Sequence, residues 1–129
     1  MSMRLIEVPI GNQTYYARFS LRVMTELEDR SLERGGSGDA QEELDGILSS
    51  NRPSGIFWLL TRMLEAGRKS MEQDGQTPPP AISYEQLLDK VGLEDFDTMF
   101  GLVAQAVCND TKTTVETAPA KNAEATPDL

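Results

Sequence analysis

Residues 4–19, Arg4-Leu-Ile-Glu-Val-Pro-Ile-Gly-Asn-Gln-Thr-Tyr-Tyr-Ala-Arg-Phe19, decide how the rest of the chain must be read. Residues 4–10 and 13–19 flank Gly11-Asn12, a two-residue connection with glycine at its first central position, as a type II′ hairpin turn requires. Pairing Ile10 with Gln13 sets Val8 opposite Tyr15, Ile6 opposite Ala17 and Arg4 opposite Phe19. Ile6, Val8, Tyr15, Ala17 and Phe19 then share one face, while Leu5, Glu7, Tyr16 and Arg18 make the other face wetter. A lone two-stranded hairpin is marginal in water. Its apolar face must therefore lie against helices or against another chain's strands.

The residues that follow supply the helices. Ser20 is placed as an N-cap for a helix through about residue 33, with Leu21, Val23, Met24 and Leu27 as its inward stripe. Arg34-Gly35-Gly36-Ser37-Gly38 breaks it as a flexible connector, and lacks the Gly-Lys-Ser/Thr ending of a phosphate loop. Asp39 with Glu42 makes a capping-box-like start to a weaker helix over 39–50, with Leu44, Ile47 and Leu48 inward; Asn51-Arg52-Pro53 ends it. Over 54–72, Ile56, Leu59, Leu60, Met63, Leu64 and Met71 recur at helical spacing, the strongest helical pattern in the chain. Phe57 and Trp58 widen that stripe beyond one core face, so the helix is packed on two sides or exposes a binding surface.

Pro78-Pro79-Pro80 makes 74–81 a stiff, extended spacer, because consecutive prolines fix φ and exclude helix. Ser83 with Gln86 opens a fourth helix, stapled by Ile82 and Leu87 and closed by Gly92. A last helix over 94–109 turns Phe96, Met99, Phe100, Val103 and Val107 inward, with Glu94, Asp95 and Asp97 at its N-terminal end, where carboxylates suit the helix dipole. Residues 110–129 hold five Thr, four Ala and two Pro, with only Val115 and Leu129 as sizeable apolar side chains. A segment that buries so little leaves its conformational entropy uncompensated. The expected architecture is α+β, mostly α: an N-terminal β-hairpin and about five helices in a single domain of residues 1–109, then a disordered tail of residues 110–129.

Composition narrows the chemistry. Lys plus Arg number 12 against 21 Asp plus Glu; residues 110–129 hold two Lys and four acids, which leaves the body with ten bases against seventeen acids. Phosphate backbones are bound by clustered Lys and Arg, so no nucleic-acid partner is expected. The chain has no histidine, which removes the usual general base near neutral pH, the Ser-His and Cys-His pairs and the imidazole ligands of most zinc sites. Cys108 is the single cysteine, so no intrachain disulfide can form, and it reads as a small buried helix residue. The acidic clusters fail as calcium loops or paired acid-base carboxylates: Asp95 and Asp97 point in different directions on a helix, and Asp39, Glu42, Glu43 and Asp45 lack the Gly-turn spacing. Neither a membrane span of ~20 apolar residues nor a signal peptide's apolar stretch is present. A non-catalytic, cofactor-free, cytoplasmic binding module is the expectation, its excess charge serving solubility.

The order of pieces carries a resemblance. Ile10-Gly-Asn-x-x-Tyr-x-x-Arg-Phe-Ser, Leu21-Arg-x-Met-x-Glu-Leu-Glu, Met63-Leu-Glu-Ala-Gly-Arg, Ser83-Tyr-Glu-x-Leu-Leu-Asp-x-Val-Gly and Lys121-Asn-Ala-Glu-Ala-Thr follow one another across nearly the whole chain. In this it resembles the tail assembly chaperones of long-tailed phages and prophages of Gram-positive gut bacteria. The resemblance implies a protein absent from the finished virion, which holds the long, helical, aggregation-prone tape measure protein soluble while tail-tube protein polymerises around it. Self-association stays open. Phe57 and Trp58, or Tyr15 and Phe19 of the hairpin face, are the residues expected to cover client helices. Such families often make a longer product by ribosomal slippage, and Ala120-Lys121-Asn122 can be encoded GCA AAA AAC, which contains the slippery heptamer A AAA AAC. The competing class is a virion structural subunit, a head-tail connector or tail accessory protein, whose hairpin pairs between subunits in a ring. A small enzyme and a host-directed adaptor are the remaining classes.

Overall fold

The computed structural model describes residues 5–117, and side chains within 5–109. It is α+β and mostly α: a two-stranded antiparallel hairpin leads into five α-helices. Strands β1 (Ile6–Ile10) and β2 (Gln13–Ala17) pair Ile10 with Gln13, Val8 with Tyr15 and Ile6 with Ala17, the register that the apolar alternation predicts. Gly11 has φ +62° and Asn51 is the one described non-glycine with positive φ, so Asn12 keeps a negative φ, as a II′ turn needs and a I′ turn does not. Ile6, Val8, Ile10, Tyr15 and Ala17 are buried, and Phe19 joins them just beyond β2.

Helices α1 (Leu21–Glu33), α2 (Ala40–Ser50), α3 (Pro53–Gln73), α4 (Tyr84–Lys90) and α5 (Phe96–Thr117) follow, with a 3-10 turn at Leu93–Asp95. The centre of the fold is α3, which packs against β2 and against all four other helices. Its Ile56, Leu59, Leu60 and Met63 are completely enclosed, together with Val8, Val23, Leu27, Leu87 and Val103 from the surrounding elements. The closest approach is to β2. A Cβ on Gly67 would run into the carbonyl oxygen of Tyr16 and stand 2.7 Å from its carbonyl carbon. Four residues earlier on the same helix, the Met63 carbonyl accepts the Arg18 N–H at 3.0 Å. Glycine there is dictated by the strand and not by the helix.

Local signals account for the element ends, with several corrections. Ser83 and Gln86 form a full capping box, the Ser83 hydroxyl accepting the Gln86 N–H at 3.1 Å and the Gln86 side-chain oxygen accepting the Ser83 N–H at 2.9 Å. Asp39 caps α2 through the N–H groups of Gln41 and Glu42, but Glu42 accepts the Ser37 hydroxyl at 2.9 Å instead of reaching back to Asp39. Ser20 occupies the N-cap position of α1 without a side-chain bond. Helix α2 is stopped by Asn51 in the left-handed region, which frees Pro53 to open α3 at its first position, where a missing N–H costs nothing. Val91 in extended conformation, not Gly92, closes α4. Leu21, expected to face inward, is exposed, and so is Cys108, expected to be buried; in α5 Met99 and Val103 are buried as expected, Ala106 joins them, and Phe96, Phe100 and Val107 are half-buried against the core.

The glycine-rich connector is hydrogen-bonded to the end of α1. The buried Ser31 hydroxyl accepts the Gly38 N–H at 2.9 Å, and its carbonyl accepts the Gly36 N–H at 2.7 Å, folding the segment back on the end of α1. At the other end, α5 runs to Thr117, eight residues past the expected stop at Asn109. Threonine is a weak helix former, but each costs only a few tenths of a kcal/mol, and extending an existing helix avoids the nucleation cost. Residues 118–129, including Ala120-Lys121-Asn122 and the rest of the expected tail, lie outside the described residues.

Candidate functional site

Of the four side chains expected to meet a partner, three are drawn into the chain's own core. Tyr15 and Phe19 fill the buried face of the hairpin, and Phe57 packs on Phe96 of α5 with ring centroids 6.0 Å apart. Trp58, next along α3, is half-buried. Arg30 of α1 lies over its ring, the guanidinium carbon 4.6 Å from the centroid. Arg30 also donates to Glu43 of α2 at 3.1 Å, and Arg34 shares that carboxylate at 2.8 Å. Glu43, Arg30 and Trp58 thus form a chain of contacts that ties α1, α2 and α3 together. Trp58 further borders a polar hollow with Glu26, Asp29, Glu33 and Arg62, where Arg62 Nε stands 3.3 Å from Glu26 Oε1 in an ion pair that lacks hydrogen-bond alignment. Residues of both signs line that hollow and largely compensate one another.

A different surface stays apolar. Between the start of α3, α4 and the start of α5 runs an open groove of about 300 Å³. Pro53 and Phe57 of α3, Leu87 and Leu88 of α4, Val91 just beyond it, and Leu93 and Phe96 toward α5 line it. The floor is firm, since Phe57 and Leu87 are buried. The rim is not covered: Leu88 is 41% exposed and Leu93 is 91% exposed. Helix α4 has only seven residues, too few to be stable alone, and is held by its capping box and by Leu87 inserted against α3. Leu87 and Leu88 are neighbours on that short helix and cannot both point inward. One anchors, and the other is left on the surface.

Charge surrounds this apolar strip. Glu85, Asp89, Glu94, Asp95 and Asp97 are all exposed along 84–97, against Lys90 alone. Asp97 lines the groove, and the Glu94 carboxylate lies over Gly92, its oxygens 2.8 Å from where a Cβ there would sit. Arg52, next to Pro53 in the chain, lines a separate hollow with Arg30, Arg34 and Glu43. Among the described residues no group of three or more His, Cys, Asp or Glu is placed to hold a metal ion, and no helix is long and apolar enough to cross a membrane. The arrangement offers apolar area with an acidic border, which suits the covering of another polypeptide. The leucine pair was visible in the sequence, as was Leu93 isolated between Gly92 and Glu94; neither falls in the inward stripes on which the sequence reading concentrated.

No protein-family model, curated protein or solved structure matches this chain.

Proposed function

We propose that this protein is a non-catalytic tail assembly chaperone of a long-tailed phage or prophage. In this role it binds the tape measure protein in the bacterial cytoplasm, keeps it soluble while the tail tube assembles, and is absent from the virion. The observation that carries the proposal is the groove: a firm floor of Phe57 and Leu87 beneath exposed Leu88 and Leu93, on a chain of net charge −9. An apolar strip on a highly charged body can cover a client's apolar helix while holding the complex in solution.

The hairpin weighs against a ring of subunits joined by strand pairing. In a two-residue hairpin the residues flanking the turn exchange hydrogen bonds, so the Ile10–Gln13, Val8–Tyr15 and Ile6–Ala17 pairs point their backbone groups at each other. Pro9 and Glu7 then face outward from β1, and Pro9 has no N–H to offer a neighbouring strand. On β2 the outward side is taken by α3, through Arg18 to Met63 and through Tyr16 against Gly67.

Co-expression with the tape measure protein of the same phage tests the proposal. The tape measure protein is expected in the soluble fraction with the chain present and in the pellet without it, and purified particles are expected to lack the chain. Finding the chain in stoichiometric amounts in particles would overturn the reading in favour of a structural subunit.

A further inference from the structure

We infer that the groove between α3, α4 and α5 takes an amphipathic helix whose apolar stripe is flanked by lysine or arginine. That such a helix belongs to the tape measure protein rests on the function proposed above; its chemistry rests on the groove. A helix docks in a groove by inserting side chains spaced three and four residues apart, and Leu88 and Leu93 stand on the rim where such anchors are received. The border then selects the flanks. Five exposed carboxylates against Lys90 along 84–97, with Asp97 in the wall and Glu94 folded over Gly92, place negative potential beside the apolar floor. Cationic flanks are attracted to that border and acidic flanks repelled, which affects both encounter rate and orientation.

Two other occupants fit worse. A second copy would bring an identical acidic border and its own net charge of −9 against the first. The chain's own residues 118–129 offer Leu129 as their single large apolar side chain, and Lys121 against Glu124 and Asp128.

The test uses the full chain and three labelled synthetic helical peptides of equal length with the same leucine stripe, flanked by lysine, glutamine or glutamate, followed by fluorescence anisotropy. The lysine-flanked peptide is expected to bind at least roughly tenfold more tightly than the glutamate-flanked one at about 50 mM salt, and the three are expected to converge at about 500 mM, where screening shortens the reach of the border charges. Leu88→Ser with Leu93→Ser should abolish binding of all three. Glu94→Gln with Asp97→Asn should shrink the preference for lysine flanks, while the loss of two carboxylates at the start of α5 lowers the melting temperature by only a few degrees and leaves the chain folded. Equal binding of lysine- and glutamate-flanked peptides, or unaltered binding by the double leucine variant, would overturn the inference, as would a dimer in sedimentation that the double leucine variant dissociates. Failure here and failure of the chaperone function separate cleanly. If the peptide binds in the groove but the tape measure protein is soluble without the chain, the groove stands and the client is wrong. If the tape measure protein needs the chain yet remains soluble with the double leucine variant, the chaperone stands and the groove is wrong.

Discussion

Toward its C-terminal end α3 presses on β2 so closely that no side chain fits at Gly67, whereas toward its N-terminal end Pro53 and Phe57 border a groove that α4 and α5 leave open. The same helix therefore meets a strand at backbone distance at one end and keeps apolar area uncovered at the other. Both ends bury apolar side chains, Ile56 and Phe57 at one and Leu64, Ala66 and Met71 at the other, so hydrophobicity of the inward face alone does not separate them. What separates them is the length of the covering element. The hairpin contributes two paired strands and a backbone hydrogen bond to α3, while α4 has seven residues and can spare only Leu87 to seal its side. A short, capped helix standing off a long one is a means of leaving a groove in a small domain without exposing its core.

The sharpest way to break this contrast is to put a side chain at the sealed end. Gly67→Val forces the helix off Tyr16, and over-packing against backbone that cannot yield is expected to cost about 3 kcal/mol, read as a large fall in melting temperature. A melt within a degree or two of wild type would mean that the hairpin is not clamped to α3. The next test sits at the open end, where adjacent leucines are predicted to behave oppositely. Leu87→Ala empties a fully enclosed position and is expected to cost roughly 3 kcal/mol, while Leu88→Ala beside it should change stability by less than about 0.5 kcal/mol in chemical denaturation. Equal effects would place both side chains in the core and close the groove. A smaller effect is expected from Ser83→Ala, which removes the cap that holds α4 in place and should cost about 1 kcal/mol. Amide exchange in α4 should rise with it, before exchange in α3.

How much of this the sequence disclosed depends on the range of each interaction. The hairpin register was legible because a period of two leaves one pairing that puts Ile6, Val8, Tyr15 and Ala17 together. The capping box at Ser83 was legible because both partners lie within one helical turn. The partner of Gly67 is a strand some fifty residues earlier, and a glycine inside a helix gives no hint of it. Phe57 and Trp58 were read together as one widened stripe, yet α5 covers the first and Arg30 caps the second. Successive helix residues point about 100° apart, and which of them is covered is decided by elements that local pattern does not locate. The same holds for Leu88 and Leu93: their types were plain, but their exposure follows from where α4 and the 3-10 turn stand against α3.

The smallest expected change in stability comes at the residue that says most about the groove. Leu93 is 91% exposed, in a 3-10 turn between α4 and α5, and makes no part of the enclosed core. Leu93→Ser should therefore leave the unfolding free energy within about 0.5 kcal/mol of wild type in chemical denaturation. If stability were the reason for that leucine, a polar residue would serve better, since exposed apolar area in a monomer only invites association. Burying a leucine in a complex contributes about 2 kcal/mol, so the same substitution is expected to weaken client binding more than tenfold and to return co-expressed tape measure protein to the pellet. A loss of stability without loss of client solubility would make Leu93 a structural residue and leave the open end of α3 without a role in binding. An unchanged melt with precipitated client would separate the two ends of α3 by function as clearly as Gly67 and Leu93 separate them by packing.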